Sequence, residues 1–477
     1  MASCVHSYRR ILVILCTPVI LVLCLFVYIM LSLCLAMAPP SLPNAAVGIS
    51  SLEMIKAKGS YKNVALASHR EHPYWKHRLN INTFWNSMQY VMDRQHNSIL
   101  RRRTRNLVTL HLLDDSISNS TQHQLGCQPN YAVMWSFLGF FNLTPEMQRF
   151  VLSMHCRDYP LLIEPPTVCA NQSAMLLLAI KSQTKNFENR QAIRQTWGHS
   201  GLVQGRVGMG GLVQRVFLLA KSAVLEDSKE MMDLEKESKS YGDIIMWDFL
   251  DTFFNLTLKD ILFWEWFSEH CQNARFVFKG DDDVFVRTPA LLDYLQKEEE
   301  VHSAPNSLKK IKDFVVGDVI KRANPLRLKS SKYYIPESFY KGMYPAYAGG
   351  GGVIYSGALV LRLFQVSKRV HLFPIDDVYV GMCLQRLRIV PVDQSGFLTF
   401  DFSQEEAKNP CAYHTILLVH KRSPSEVLKL WSETLIPSAE CSHTTLRSKA
   451  LGKKRQKPEK MAKEKIELSE LDQTSIS

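Results

Sequence analysis

Arg275-Phe276-Val277-Phe278-Lys279-Gly280-Asp281-Asp282-Asp283-Val284-Phe285-Val286 runs from a short apolar segment into three consecutive carboxylates and out into a second apolar segment. Such a run, bounded by a turn-forming acidic cluster, reads as a buried strand with acids at its carboxyl end. Upstream, the same kind of unit recurs. Apolar runs at 175–180, 215–219 and 243–247 read as strands. Between them lie helical patterns at 188–197, 226–240 and 255–271, the last apolar-rich and the second highly charged. Strands alternating with helices predict an α/β layer around a mainly parallel sheet, with its binding site beyond the carboxyl ends of the strands.

Three adjacent carboxylates repel one another unless a cation or solvent compensates them. Mg²⁺ and Mn²⁺ prefer oxygen ligands and are typically held by one or two carboxylates with substrate phosphates, so the trio reads as a metal site or as an acidic surface turn. Tyr344-Pro345-Ala346-Tyr347-Ala348 leads into Gly349-Gly350-Gly351-Gly352. The glycines alone read as a flexible hairpin turn. The aromatic flanks favour a backbone that approaches a sugar closely. In Phe373-Pro374-Ile375-Asp376-Asp377-Val378-Tyr379-Val380-Gly381, the acids read as a helix N-cap or as a general base for an incoming hydroxyl. Ile416-Leu417-Leu418-Val419-His420 ends an apolar strand on a histidine, either partly buried or a metal ligand.

The surrounding chain supplies context. With 477 residues, 46% hydrophobic and 21% charged, the composition excludes a mainly disordered, collagenous or multi-spanning protein. The net charge is +12, from 57 Lys+Arg against 45 Asp+Glu, which calls for an anionic partner to be considered. Part of it sits in Arg101-Arg102-Arg103-Thr104-Arg105 and in the tail from Cys441, both poorly patterned, so nucleic-acid binding is not expected. Residues 11–38 carry no charge and follow Arg9-Arg10. That run exceeds the ~20 residues a bilayer helix needs and reads as a signal anchor that leaves the remainder lumenal. Outside the anchor, Cys127, Cys156, Cys169, Cys271, Cys383, Cys411 and Cys441 show no zinc spacing and predict up to three disulfides with one thiol over. Sequons at Asn119, Asn142, Asn171 and Asn255 agree with a secretory route. The expected organisation is a cytoplasmic tail at 1–10, the anchor at 11–38, a stem at 39–125 in which Trp75 and Trp85 pack on the body, a catalytic domain at 126–441 and a basic, disordered tail at 442–477.

Four motifs in order carry a resemblance: Arg190-Gln191-Ala192-Ile193-Arg194-Gln195-Thr196-Trp197-Gly198, the triple Asp, Tyr-Ala-Gly-Gly-Gly-Gly and Ile-Asp-Asp-Val-Tyr-Val-Gly. Together they resemble the β-1,3-glycosyltransferases, type II Golgi enzymes with a GT-A fold, and within them the β-1,3-N-acetylglucosaminyltransferases that extend poly-N-acetyllactosamine. The resemblance implies Lys181, Arg190, Arg194, Asp281 and Asp282 on the nucleotide side, with Asp281 toward the ribose. It implies Asp283 and His420 at Mn²⁺, Asp377 as base with Asp376 beside it toward the acceptor, and a Cys383–Cys411 disulfide. Arg388 stands where relatives usually have Gly, and the tail extends past their usual end.

The function so implied is inverting, metal-dependent transfer of N-acetylglucosamine from UDP-GlcNAc to terminal galactose of a glycoprotein or glycolipid glycan, at the Golgi membrane. Homo-oligomers, or hetero-oligomers with other glycosyltransferases, are compatible with it. A β-1,3-galactosyltransferase using UDP-galactose and a non-catalytic Golgi lectin or assembly partner are the rival readings. A glycosidase would leave the nucleotide-side lysine and arginines without a task.

Overall fold

The computed structural model describes residues 82–96, 127–170, 172–208, 210–222, 228–303 and 311–447. The expected anchor, Trp75, the basic knot at 101–105, Asn119, Asn171 and the tail beyond residue 447 lie outside the described residues.

The first helix, α1 (Phe84–Gln95), comes from the segment read as stem. After it follow α2 (Pro145–Ser153), the edge strand β1 (Leu161–Ile163), β2 (Leu176–Lys181), α3 (Phe187–Gln195), β3 (Gly201–Val203), β4 (Gly211–Lys221), α4 (Ser228–Tyr241) and β5 (Ile244–Leu250). The middle of the chain forms α5 (Leu256–His270), β6 (Phe276–Asp281), β7 (Val284–Val286), α6 (Thr288–Ser303), β8 (Val315–Ile320) and β9 (Tyr347–Ser356). The last part forms α7 (Gly357–Ser367), α8 (Asp376–Leu387), β10 (Val392–Asp393), β11 (Phe397–Leu398), β12 (Leu418–His420) and α9 (Pro424–Leu435).

Among the described residues the main sheet has nine strands, ordered β1-β5-β4-β2-β6-β9-β8-β10 with β3 beside β4. A smaller sheet, β11-β12-β7, stands against it. All six residues of β2 are buried, because parallel neighbours flank it and helices cover both faces. Its side chains alternate between two cores. Leu177 and Ala179 pack with Trp264 of α5 and Leu363 of α7, while Leu176, Leu178 and Ile180 pack with Ile193 of α3 and Leu292 of α6. The result is a mixed α/β layer around a central sheet.

The helices start where side chains satisfy their first N–H groups. Thr144 caps α2 ahead of Pro145, Ser356 caps α7, and Ser423 with Glu426 forms a capping box on α9. Helix α5 is apolar on every side because it is buried on every side, including its Lys259 and Asp260.

Three expectations change. The sheet is mixed rather than mainly parallel: four pairings are parallel (β2–β4, β2–β6, β4–β5, β8–β10) and four antiparallel (β1–β5, β3–β4, β6–β9, β8–β9). The strand–helix alternation covers only β2 to β6, and β9 returns antiparallel beside β6. Gly349 to Gly352 form no hairpin turn but lie inside β9, where they let neighbouring elements close in. Trp85 of α1 packs on the body as expected, buried with its indole N–H donating to the Leu372 carbonyl at 3.0 Å. The Cys383–Cys411 pairing is replaced by Cys411–Cys441, alongside Cys127–Cys156 and Cys169–Cys271. Cys383 is the free thiol, pointing from α8 into the core out of reach of the surface loop that carries Cys411.

Candidate active site

Lys181 and Asp281 end the paired strands β2 and β6 in register, so the sheet itself presents a cation beside a carboxylate at its carboxyl edge. Lys181 Nζ lies 3.2 Å from Asp281 Oδ1 and 2.5 Å from Asp376 Oδ2. Asp376 and Asp377 open α8, so their charge also meets the positive end of that helix. A second buried lysine, Lys279, reaches Asp260 Oδ2 of α5 at 2.9 Å, Asp376 Oδ2 at 3.6 Å and Asp377 Oδ1 at 3.7 Å. Lys279 stands inside the strand motif, where an isolated lysine gives no sign of a role. Its partner Asp260 stands in helix α5, 19 residues earlier in the chain.

This lattice drives the two adjacent acids apart. Burial opposes it, but the charges of Lys181 and Lys279 hold the Asp376 carboxyl far below the usual range. Burial first, and then the negative charge of Asp376, push Asp377 up to about 7. One carboxylate is locked as an ion-pair partner. The other is poised to exchange a proton near neutrality.

Across the cleft, the Arg422 N–H donates to the Asp283 carbonyl at 2.7 Å and β12 pairs antiparallel with β7, which sets His420 opposite Val284. His420 Nε2 is thereby 3.1 Å from Asp283 Oδ1 and 3.8 Å from Asp281 Oδ2. Its Nδ1 is 3.3 Å from the Thr399 carbonyl, where it donates and aims Nε2 at the carboxylates. One ligand atom from each of Asp281, Asp283 and His420 falls within 4.8 Å of the others. Two carboxylate oxygens and an imidazole nitrogen suit Mn²⁺, and Asp260, Asp281, Asp283, Asp376 and Asp377 outnumber Lys181 and Lys279. The donor set fits a divalent cation. Cys127, His155 and Cys156 cluster too, but the two sulfurs are already bonded to each other.

Strand β9 floors the cleft. A Cβ at Gly350 would come 2.9 Å from Asp377 Oδ2, and one at Gly351 would come 3.0 Å from His420 Cβ. Glycine is needed there for space between the base and the acidic trio.

The remaining expected residues lie in the supporting wall. Asp282 turns inward, accepting from Ser182 Oγ at 2.6 Å and Asn186 Nδ2 at 3.0 Å, and burial raises its carboxyl to about 6. Arg190 is buried, binds both carboxylate oxygens of Glu237 at 2.8 and 2.7 Å, and donates to Ser182 Oγ at 3.1 Å and to the Thr184 carbonyl at 3.1 Å. Arg194 binds Asp243 at 2.9 and 2.8 Å and stacks over Tyr241. The structure thus places Asp282 and Arg190 around the loop 182–184, and Arg194 beside Asp243 and Glu237, not with Asp281, Asp283 and His420. Glu237 and Asp243, distant in sequence, gave no signal of these pairings.

The described fold and site can be set beside known proteins. The galactosyltransferase family signature matches residues 188–395, which include the triple Asp, the glycine strand and Asp376-Asp377. N-acetyllactosaminide β-1,3-N-acetylglucosaminyltransferase 2 of Mus musculus is 45% identical over 374 residues, covering 77% of this chain and 88% of that one. The chain belongs to the β-1,3-N-acetylglucosaminyltransferase family. UDP-GlcNAc:betaGal β-1,3-N-acetylglucosaminyltransferase 7 of Rattus norvegicus is 42% identical, covering 61% of this transferase and 72% of its own length. Enzyme 9 of the same description, from Bos taurus, is 43% identical over 60% of this transferase and 73% of its own length. The chain is therefore an enzyme of the β-1,3-N-acetylglucosaminyltransferase type.

Proposed function

We propose that the protein transfers N-acetylglucosamine from UDP-GlcNAc to the 3-hydroxyl of terminal galactose on N-acetyllactosamine-type glycans, with inversion and with a divalent cation, as a single-pass type II enzyme of the Golgi membrane. The observation that carries the reading is the placing of Asp377 across a glycine floor from the Asp281–Asp283–His420 donor set.

Asp377 takes the proton of the galactose 3-hydroxyl as that oxygen bonds to the anomeric carbon, and the bond from that carbon to the diphosphate breaks. Attack opposite the departing UDP turns an α-linked donor into a β-1,3 product. One carboxylate base suffices because the leaving group is good, unlike a glycosidase, which needs a second carboxyl. Asp281, Asp283 and His420 would hold the cation, which when bound neutralises charge building on the diphosphate. Lys181 pins Asp376 and Asp281, so that both walls keep one spacing as the sugars align.

A donor screen tests the reading. The full chain is offered UDP-GlcNAc and UDP-galactose with N-acetyllactosamine acceptors, with Mn²⁺ or chelator, and the product linkage is determined. GlcNAc-β-1,3-galactose formed only with the cation is the expected result. Transfer of galactose instead, or undiminished transfer in chelator, would refute the donor or the cation assignment respectively.

A further inference from the structure

Arg287 directly follows β7 and is only 3% exposed, yet among the described residues no carboxylate pairs with it. Its Nη1 donates to the carbonyls of His414 and Ile416 at 2.5 and 3.1 Å, while Nη2 has no partner. His414, on the short turn Ala412–Thr415, is 6% exposed, and its Nδ1 is unpartnered as well. A guanidinium taken out of water needs opposite charge as well as hydrogen bonds. The acids nearby are spent elsewhere. Asp293 of α6 accepts from the N–H groups of Arg206, Val207 and Gly208 at 2.8, 3.0 and 2.8 Å. Glu406 pairs with Arg447, whose N–H donates to the Thr415 carbonyl at 2.8 Å.

What Arg287 meets instead is more positive charge. By holding the loop 205–208, Asp293 fastens the exposed Arg206 to α6, the helix that opens immediately after Arg287. Burial first, and then the Arg206 charge, lower the Arg287 guanidinium to about 10. Burial, followed by the charges of Arg287 and Arg206, also lowers the His414 imidazole. Strand β7 separates this cluster from the cleft. Asp283 stands before the strand and Arg287 after it, about 13 Å apart along an extended chain.

We propose that Arg287 and His414, with Arg206 at the rim, bind a free tetrahedral dianion, phosphate or sulfate, in a site separate from the sugar-transfer cleft. The unused N–H bonds of Nη2 and the unpartnered Nδ1 supply donors from two side chains, and a charged acceptor strengthens each hydrogen bond. Two arginines call for more negative charge than a single carboxylate carries. Tetrahedral oxygens face both buried donors and the rim together, where a planar carboxylate presents only two. The bound charge also favours protonation of His414, which then donates from both ring nitrogens.

Calorimetric titration of the full chain, at constant ionic strength made up with chloride, tests the site. Inorganic phosphate is titrated in chelator, and sulfate both in chelator and with saturating Mn²⁺ and UDP, which fill the cleft. Each anion should bind with a Kd of about 1 mM or tighter, and sulfate should bind equally well under both conditions. Acetate should bind at least about threefold more weakly. Arg287→Gln should weaken phosphate and sulfate at least about tenfold, because a charge-assisted hydrogen bond is lost. Arg206→Gln, on the surface, should weaken them about two- to fivefold, so the result does not depend on how the core tolerates a change at Arg287. No anion binding to the parent would overturn the inference. So would sulfate displaced by Mn²⁺ and UDP, acetate bound as tightly as sulfate, or affinities unaltered in both variants.

Discussion

At the scale of single residues, the site works by dividing labour between neighbours of the same chemistry. Asp376 is neutralised by Lys181 and Lys279, and Asp377, adjacent in sequence, carries the cost of burial beside it. A base must be deprotonated to act, so activity rises as pH climbs through the Asp377 pKa and levels off above it. We expect an ascending limb near pH 7 in kcat/KM, and Asp377→Asn should lower kcat by about 10²–10⁴-fold while UDP affinity stays nearly unchanged. A pH–rate series on the parent, with calorimetric UDP titration of the variant, checks both. Asp283 plays the opposite part. Although burial opposes it, the hydrogen bond and charge of His420 hold its carboxyl below the ordinary value, leaving it ionised and ready for a cation. Asp283→Ala should weaken Mn²⁺-dependent UDP binding at least about tenfold, and a cation titration identical to the parent's would argue that Asp283 is no ligand.

Among the elements, helix α8 best shows what the sequence disclosed and what it withheld. Its start was legible to within a residue: Asp376-Asp377 after Phe-Pro-Ile signals a helix opening, but Ile375 occupies the N-cap position without a side-chain cap and the two acids are the first helical residues, so the expected Asp cap is not formed. Its end was legible only as an oddity, Arg388 in place of the usual glycine. The structure gives the reason: Arg388 is the C-cap in the left-handed region, φ 61°, with its N–H donating to the Gln385 and Leu384 carbonyls. That conformation strains a residue bearing a Cβ, so Arg388→Gly should stabilise the fold by about 1 kcal/mol, read as a higher denaturant midpoint at unchanged slope. A lower midpoint would show that the arginine side chain contributes more than its backbone costs. The strands β2, β4, β5 and β6 announced themselves by unbroken apolar runs, since both of their faces are covered. Strand β9 did not, because its glycines carry no hydrophobic pattern and make sense only once Asp377 and His420 are seen on either side. The inward turn of Asp282 and the wall of Arg190 and Arg194 were hidden for a related reason. Their partners Ser182, Glu237 and Asp243 meet them only in three dimensions.

For the molecule as a whole, covalent and packing ties close the body at both ends of the described chain. Cys411–Cys441 joins the loop ahead of β12 to the segment that follows α9, and Arg447 goes on to pair with Glu406. The first residues assigned to a disordered tail are therefore moored. Alkylation after denaturation without reductant should label Cys383 alone among the seven cysteines from Cys127 onward, as mass spectrometry of its peptide would show. Labelled Cys441 would restore the Cys383–Cys411 pairing instead. Cys441→Ser opens a link spanning 30 residues and should cost about 3–4 kcal/mol by chain entropy. At the other end, α1 drives Trp85 between Tyr340 and Phe373, with ring centroids 5.6 Å from each. Anyone preparing a truncated, secreted version for assay or crystallisation should therefore start upstream of Asn82. Cutting at Cys127 would hollow out the layer beneath α8 and yield an aggregating product in place of an active one.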